Sequence, residues 1–106
     1  MADGLDAVLK QRLRAVLDGR PCTEAELRKL FEEGQACTRI FGAQLARAER
    51  ELAARESDPD SSITDLAAAV RRVNGLRPEL DELHSLLDAL EARARAFRAA
   101  WVAPRG

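Results

Sequence analysis

Apolar residues recur in a single heptad register from Leu66 to Trp101. With Leu66 at position a, the a and d residues are all apolar: Leu66, Ala69, Val73, Leu76, Leu80, Leu83, Leu87, Leu90, Ala94, Phe97 and Trp101. This regularity is typical of a helix that packs along other helices. The pattern predicts one long helix over about 63–102, whose seam needs partner helices to exclude water.

Pro78 stands in the middle of this predicted helix. A proline inside a helix removes one backbone hydrogen bond, and residues 77–81 also have the composition of a new helix start, with acidic residues after the proline. The a/d spacing nevertheless continues from Val73 through Leu76 to Leu80, and Pro78 takes the outward f position. The register therefore favours a continuous helix kinked at Pro78, and a break at Pro78 is the alternative.

Two further helices are predicted before the long one. Over about 4–18, apolar residues share one helical face: Leu5, Val8, Leu9, Leu13, Val16 and Leu17. Gly19 and Pro21 mark the end of this helix, because glycine can take the left-handed conformation of a C-cap and proline cannot continue the helix. Thr23 and Glu26 form a capping box, which predicts the start of a second helix over about 24–55.

The second helix contains Gly34 and Gly42, which either admit a neighbouring helix closely or weaken the helix. A loop at about 56–62 separates it from the third helix, which Ser62 or Thr64 can cap. This loop is short enough to force an antiparallel hairpin. Residues whose numbers sum to about 118 would then face each other.

This hairpin register places Phe97 and Trp101 beyond the start of the second helix, so we expect them to be buried beside the first. We therefore predict an all-α fold in a single helical domain, residues 1–106. Its form is an antiparallel, coiled-coil-like helical hairpin of two long helices. The short N-terminal helix makes a three-helix bundle at one end.

Composition changes this picture little. The chain is 46% hydrophobic, mostly through Ala and Leu, which favours helix over sheet. Its 17 basic and 18 acidic residues nearly cancel, so no overall field attracts a polyanion. No apolar run reaches the roughly 18 residues of a membrane span and nothing near Met1 is typical of a signal peptide. We expect a soluble, intracellular protein, cytoplasmic or nuclear.

Side chains that could carry chemistry are sparse. His84 is the only histidine, and with Asp81 it supplies two ligands, too few for a metal site. Cys22 and Cys37 would lie about 20 Å apart along one helix, too far for a disulfide. There is neither a nucleophile paired with a base nor a glycine-rich phosphate loop. The sequence therefore predicts no catalytic, cofactor-binding or metal-binding residue, and we do not expect an enzyme.

Binding of other helices is the function that this pattern favours. The third helix offers more apolar seam than the first two cover, so we expect a small helical subunit or adaptor that binds a protein partner or a second copy of itself. The expected interface comprises Val70, Val73, Leu76, Leu83, Leu86, Phe97 and Trp101.

A nucleic-acid-binding helical module is the alternative. Arginines project to the end of the bundle that carries the first helix, among them Arg12, Arg14, Arg93, Arg95 and Arg98. A phosphate backbone binds such a surface with strong salt dependence. Nucleic acid is the less favoured partner, because acidic residues neutralise this end locally.

Overall fold

A computed structural model describes residues 2–102, with side chains from residue 7 to residue 99. Within that range the chain forms three α-helices, α1 (Ala2–Leu17), α2 (Glu24–Ser57) and α3 (Ile63–Val102), and no strand. The expected bounds differ from these by two residues at most. Since α2 and α3 pack as a hairpin and α1 packs on both, the predicted all-α fold is confirmed. α3 runs continuously through Pro78.

The turn after α1 is a Schellman motif. Gly19 has a φ of +106°, in the left-handed region where only glycine is unstrained. Its N–H donates to the carbonyl of Val16 at 3.1 Å, and the N–H of Arg20 donates to the carbonyl of Ala15 at 3.0 Å. These bonds satisfy carbonyls at the end of α1, so the chain stops there and reverses into α2.

Side-chain caps fix where α2 and α3 begin. The hydroxyl of Thr23 accepts a hydrogen bond from the N–H of Glu26 at 3.1 Å. At the hairpin loop, the hydroxyl of Ser62 accepts from the N–H of Asp65 at 3.0 Å, so Ser62 rather than Thr64 caps α3. Helices α2 and α3 therefore begin at positions that their capping residues, Thr23 and Ser62, predict.

The core divides into two clusters along the hairpin. All three helices contribute to the first, whose buried residues are Leu9, Leu13, Leu30, Leu83, Leu87 and Leu90. The second contains buried residues of α2 and α3 alone: Leu45, Ala48 and Val73. The molecule is therefore a three-helix bundle at one end and a two-helix hairpin over the remainder.

Gly34 allows α2 and α3 to approach closely. A Cβ atom on Gly34 would lie 3.3 Å from Cγ of the buried Leu87 and closer still to its Cδ2. A Cβ atom on Gly42 would meet nothing within 4 Å. Close packing thus explains Gly34, whereas Gly42 lowers helix propensity and admits no neighbour.

The last turns of α3 differ from the expectation. Phe97 is 61% exposed, although it occupies the same heptad position as Leu90, which is 1% exposed. Arg93 donates a hydrogen bond to the carbonyl of Leu17, so α1 ends one turn before Phe97 and runs back along the middle of α3. The expectation that Phe97 is buried beside α1 is therefore wrong. The same expectation for Trp101 lies outside the described side chains.

We predict opposite stability effects for alanine at two glycines of α2. Gly42→Ala should stabilise the protein by about 0.5–1 kcal/mol, because alanine lowers the entropy cost of the helix and meets open space. Gly34→Ala should destabilise it by about 1 kcal/mol or more, because Leu87 has to move out of a packed core. Urea unfolding followed by far-UV circular dichroism measures both. Equal stabilisation by the two substitutions would show that Leu87 yields without cost.

Candidate partner-binding surface

A cluster of charged side chains holds α1 on α3. Lys10 is only 4% exposed, and its ammonium group contacts the Glu79 carboxylate and lies 3.6 Å from Oε2 of Glu82. Arg14, one turn further along α1, also pairs with Glu82. A buried ammonium group is tolerated only when it is paired, so these contacts determine where α1 sits along α3.

No pattern in the sequence predicts this cluster. Lys10 follows Leu9 and precedes Leu13 by three residues, so it lies at the edge of the apolar face of α1. Glu79 and Glu82 are likewise spaced by three, on the flank of α3 next to its seam. Both features were visible in the sequence, but nothing in it states that these two flanks meet.

The predicted interface residues fall into two groups. Val73 and Leu83 are buried between the helices of this chain, at 4% and 0% exposure, so a partner could reach them only by opening the hairpin. Leu86 is half-buried and packs against the first core cluster. The heptad pattern marks all three as seam-facing or seam-flanking, and here the seam faces helices of the same chain.

Val70 and Leu76 are the predicted interface residues that stay accessible along the two-helix part. Val70 is 37% exposed, and Leu76 is half-buried against the second core cluster. Ile63 is 86% exposed and lies seven residues before Val70, at the same heptad position e. Two exposed β-branched residues therefore lie on one flank of α3, next to a core that only two helices enclose.

The C-terminal stretch of α3, residues 91–99, is the second accessible surface. Only Ala94 is half-buried in this stretch, and the other side chains are exposed. It contains Phe97 together with three arginines, Arg93, Arg95 and Arg98. Among the described side chains of the bundle end, this exposed aromatic ring, surrounded by alanine and arginine, is the most accessible large apolar group.

Ionisable side chains elsewhere do not converge. No group of three or more His, Cys, Asp or Glu among the described residues could hold a metal ion, and His84 is exposed. Partial burial, followed by the negative charge of Glu26 and a hydrogen bond with it, raises the pKa of Cys22, so its thiol is protonated at neutral pH. Cys22 and Cys37 are not joined by a disulfide.

Within residues 2–102, no helix combines the length and the apolar character that crossing a membrane requires. The longest helix, α3, carries charged residues along its whole length, including Asp65, Arg72 and Glu82.

We predict that Lys10→Met loosens α1. The substitution keeps the apolar stem of Lys10 but leaves Glu79 and Glu82 without their shared cation. We expect a loss of about 1–3 kcal/mol, below the range for fully buried pairs because both carboxylates remain more than a third exposed. Hydrogen exchange should show faster opening of residues 7–17.

The matched control is Lys29→Met, because Lys29 is an exposed lysine of α2, and it should change stability by less than about 0.5 kcal/mol. Adding Glu79→Gln to Lys10→Met should recover part of the loss. Unchanged exchange of residues 7–17 in Lys10→Met would show that the apolar contacts of Leu9 and Leu13 alone hold α1.

Comparison with known proteins matches this chain to no family model, no curated protein and no solved structure. Support for a function therefore comes from the molecule's own surfaces.

Proposed function

We propose that this protein is a non-enzymatic protein–protein interaction module, a small helical subunit or adaptor of a larger assembly that binds a partner helix. The observation that supports this is the incomplete coverage of the hairpin. α1 has 16 residues against 34 in α2 and 40 in α3, so it completes a three-helix bundle over one part of the hairpin only.

The uncovered part has the properties of a surface that accepts a further helix. Two packed helices enclose one seam, whereas in a helical bundle each helix is covered by two neighbours. Around the second core cluster, Leu52, Leu76 and Leu80 are half-buried. Val70 and Ile63 add exposed apolar area on one flank.

A partner helix that packs here would remove this apolar area from water. Burying an aliphatic side chain completely contributes roughly 1.5–3 kcal/mol, so covering Val70 and Ile63 already offsets part of the cost of association. Amphipathic helices bind such surfaces through apolar residues at positions i, i+3 and i+7. The partner expected along the two-helix part is therefore an amphipathic helix.

We predict that Val70→Asp abolishes partner binding and leaves the fold intact. An acidic group at this exposed flank opposes burial of the surface, and the folded chain can keep it hydrated. The measurement is quantitative mass spectrometry of proteins cross-linked to the tagged chain in its native host. A specific partner should fall by about tenfold or more with Val70→Asp.

The control is Val8→Asp, because Val8 is a valine of similar accessibility on α1, 52% exposed. It should leave the recovered partner unchanged. Light scattering of the purified chain completes the test: a dimer that Val70→Asp dissociates would identify the partner helix as one from a second copy. Equal recovery with both variants would contradict binding along the two-helix part.

A further inference from the structure

We propose that the C-terminal stretch of α3, residues 91–99, binds an amphipathic helix with acidic residues on both flanks of its apolar stripe. This inference rests on the proposed function and adds to it a second surface and the chemistry of the partner.

The apolar part of this surface is the end of the α3 seam, where α1 has already ended and only the first turns of α2 lie alongside. Gly34 lies opposite Leu87, and Arg55 lies 3.5 Å from Asp65, so α2 begins at the level of Phe97. The seam accordingly passes from a buried Leu90 through a half-buried Ala94 to an exposed Phe97. A helix seated on this stretch would cover the ring of Phe97 as α1 and α2 cover Leu90.

The charges beside this seam select the partner. In the heptad register Arg93 occupies position g and Arg98 position e, so the two arginines lie on opposite flanks of Ala94 and Phe97. Residues at e and g determine which helices pair, since opposite charges across the interface attract and like charges repel. Arg93 donates one hydrogen bond to Leu17, and its guanidinium group has further N–H donors.

A small side chain on the seam makes the same stretch accessible to a helix. Ala94, at position a between the two arginines, is only half-buried and leaves room for another backbone to approach α3 closely. Phe97 would then be the central anchor, enclosed by two arginine–carboxylate pairs. Aromatic and arginine residues in this arrangement are typical of the residues that dominate binding energy.

A helix fits these charges better than a nucleic acid does. Nucleic acid presents a charge about every 1.7 Å along a duplex, so it would also meet the carboxylates of this end. Glu91 lies in the stretch itself, and Glu24 and Glu26 begin α2 beside it. Glu24 also lies 3.8 Å from Arg28 and partly neutralises it. A helix can place its few carboxylates opposite Arg93 and Arg98 alone.

The test uses two labelled synthetic helices that differ only in flanking charge. Both have four heptads with Leu at a and d and uncharged Gln at e and g, except that one g and one e position of a single heptad, meant to face Arg93 and Arg98, carry either Glu or Lys. Fluorescence anisotropy with the full chain should show the Glu peptide binding about tenfold or more tighter than the Lys peptide. Phe97→Ala should weaken the Glu peptide by a similar factor.

Exposed residues supply the controls, because their substitution leaves the fold unchanged. Ile40→Ala removes an equally exposed apolar side chain from α2, 59% against 61% exposed, and should not alter binding. Arg98→Glu should weaken the Glu peptide and strengthen the Lys peptide. Circular dichroism should show unchanged thermal unfolding for all three variants.

Three results would overturn the proposal. Equal affinity for the two peptides would exclude selection by charge, and Glu-peptide binding that Phe97→Ala leaves intact would place the contact elsewhere. Salt-sensitive binding of a generic DNA duplex that competes with the Glu peptide would assign the surface to nucleic acid. If only this surface fails, Val70→Asp still abolishes partner recovery; if that recovery is also insensitive to Val70, the proposed function fails as well.

Discussion

The unequal length of the three helices is the constraint on which the rest of the structure depends. α3 presents a seam that is apolar along its whole length, and the burial of a seam position depends on which helices reach it, with two helices sufficing to bury Val73. Leu83 lies where both α1 and α2 reach, and it is fully buried. Leu76 lies against a cluster enclosed by two helices and is half-buried, and Phe97 lies at the start of α2 and is exposed.

Helix lengths and helix positions have different physical origins here. Local chemistry sets the lengths, since Gly19 ends α1 and Ser62 starts α3 through bonds to their own neighbours. Leucine seams alone would permit α1 to slide along α3, because successive heptads offer similar apolar contacts. The buried charge of Lys10 opposes such sliding, because in this position it pairs with Glu79 and Glu82. A polar contact thus sets the register for an interface that apolar burial stabilises.

This division explains what could be predicted from the sequence. Turn residues act within a few positions, so Gly19, Thr23 and Ser62 indicate the helix ends, and the unbroken register indicates that α3 continues through Pro78. The contact of Lys10 with Glu79 spans 69 positions and has no local signal. Gly34 and Gly42 are equivalent in the sequence, and they differ only because the hairpin register brings Leu87 opposite the first.

The lack of a local signal for contacts between distant residues also applies to the candidate surface. A heptad pattern states that Val73, Leu83 and Phe97 require apolar neighbours, but it does not state whether those neighbours belong to the same chain.

The end of α1 decides this question for Phe97, because Leu17 lies at Arg93 and α1 therefore stops one turn before Phe97, although α2 reaches further along α3 than expected. If the numbers of facing residues summed to 118, as expected, the turn of α3 that contains Phe97 would lie beyond the start of α2. In the structure Arg55 pairs with Asp65, a sum of 120, and Gly34 faces Leu87, a sum of 121. Apolar residues buried within the fold and apolar residues left exposed therefore differ in position along one seam rather than in residue type. A substitution at Leu83 disturbs the core itself, so the proposed binding is tested at exposed positions such as Val70 and Phe97.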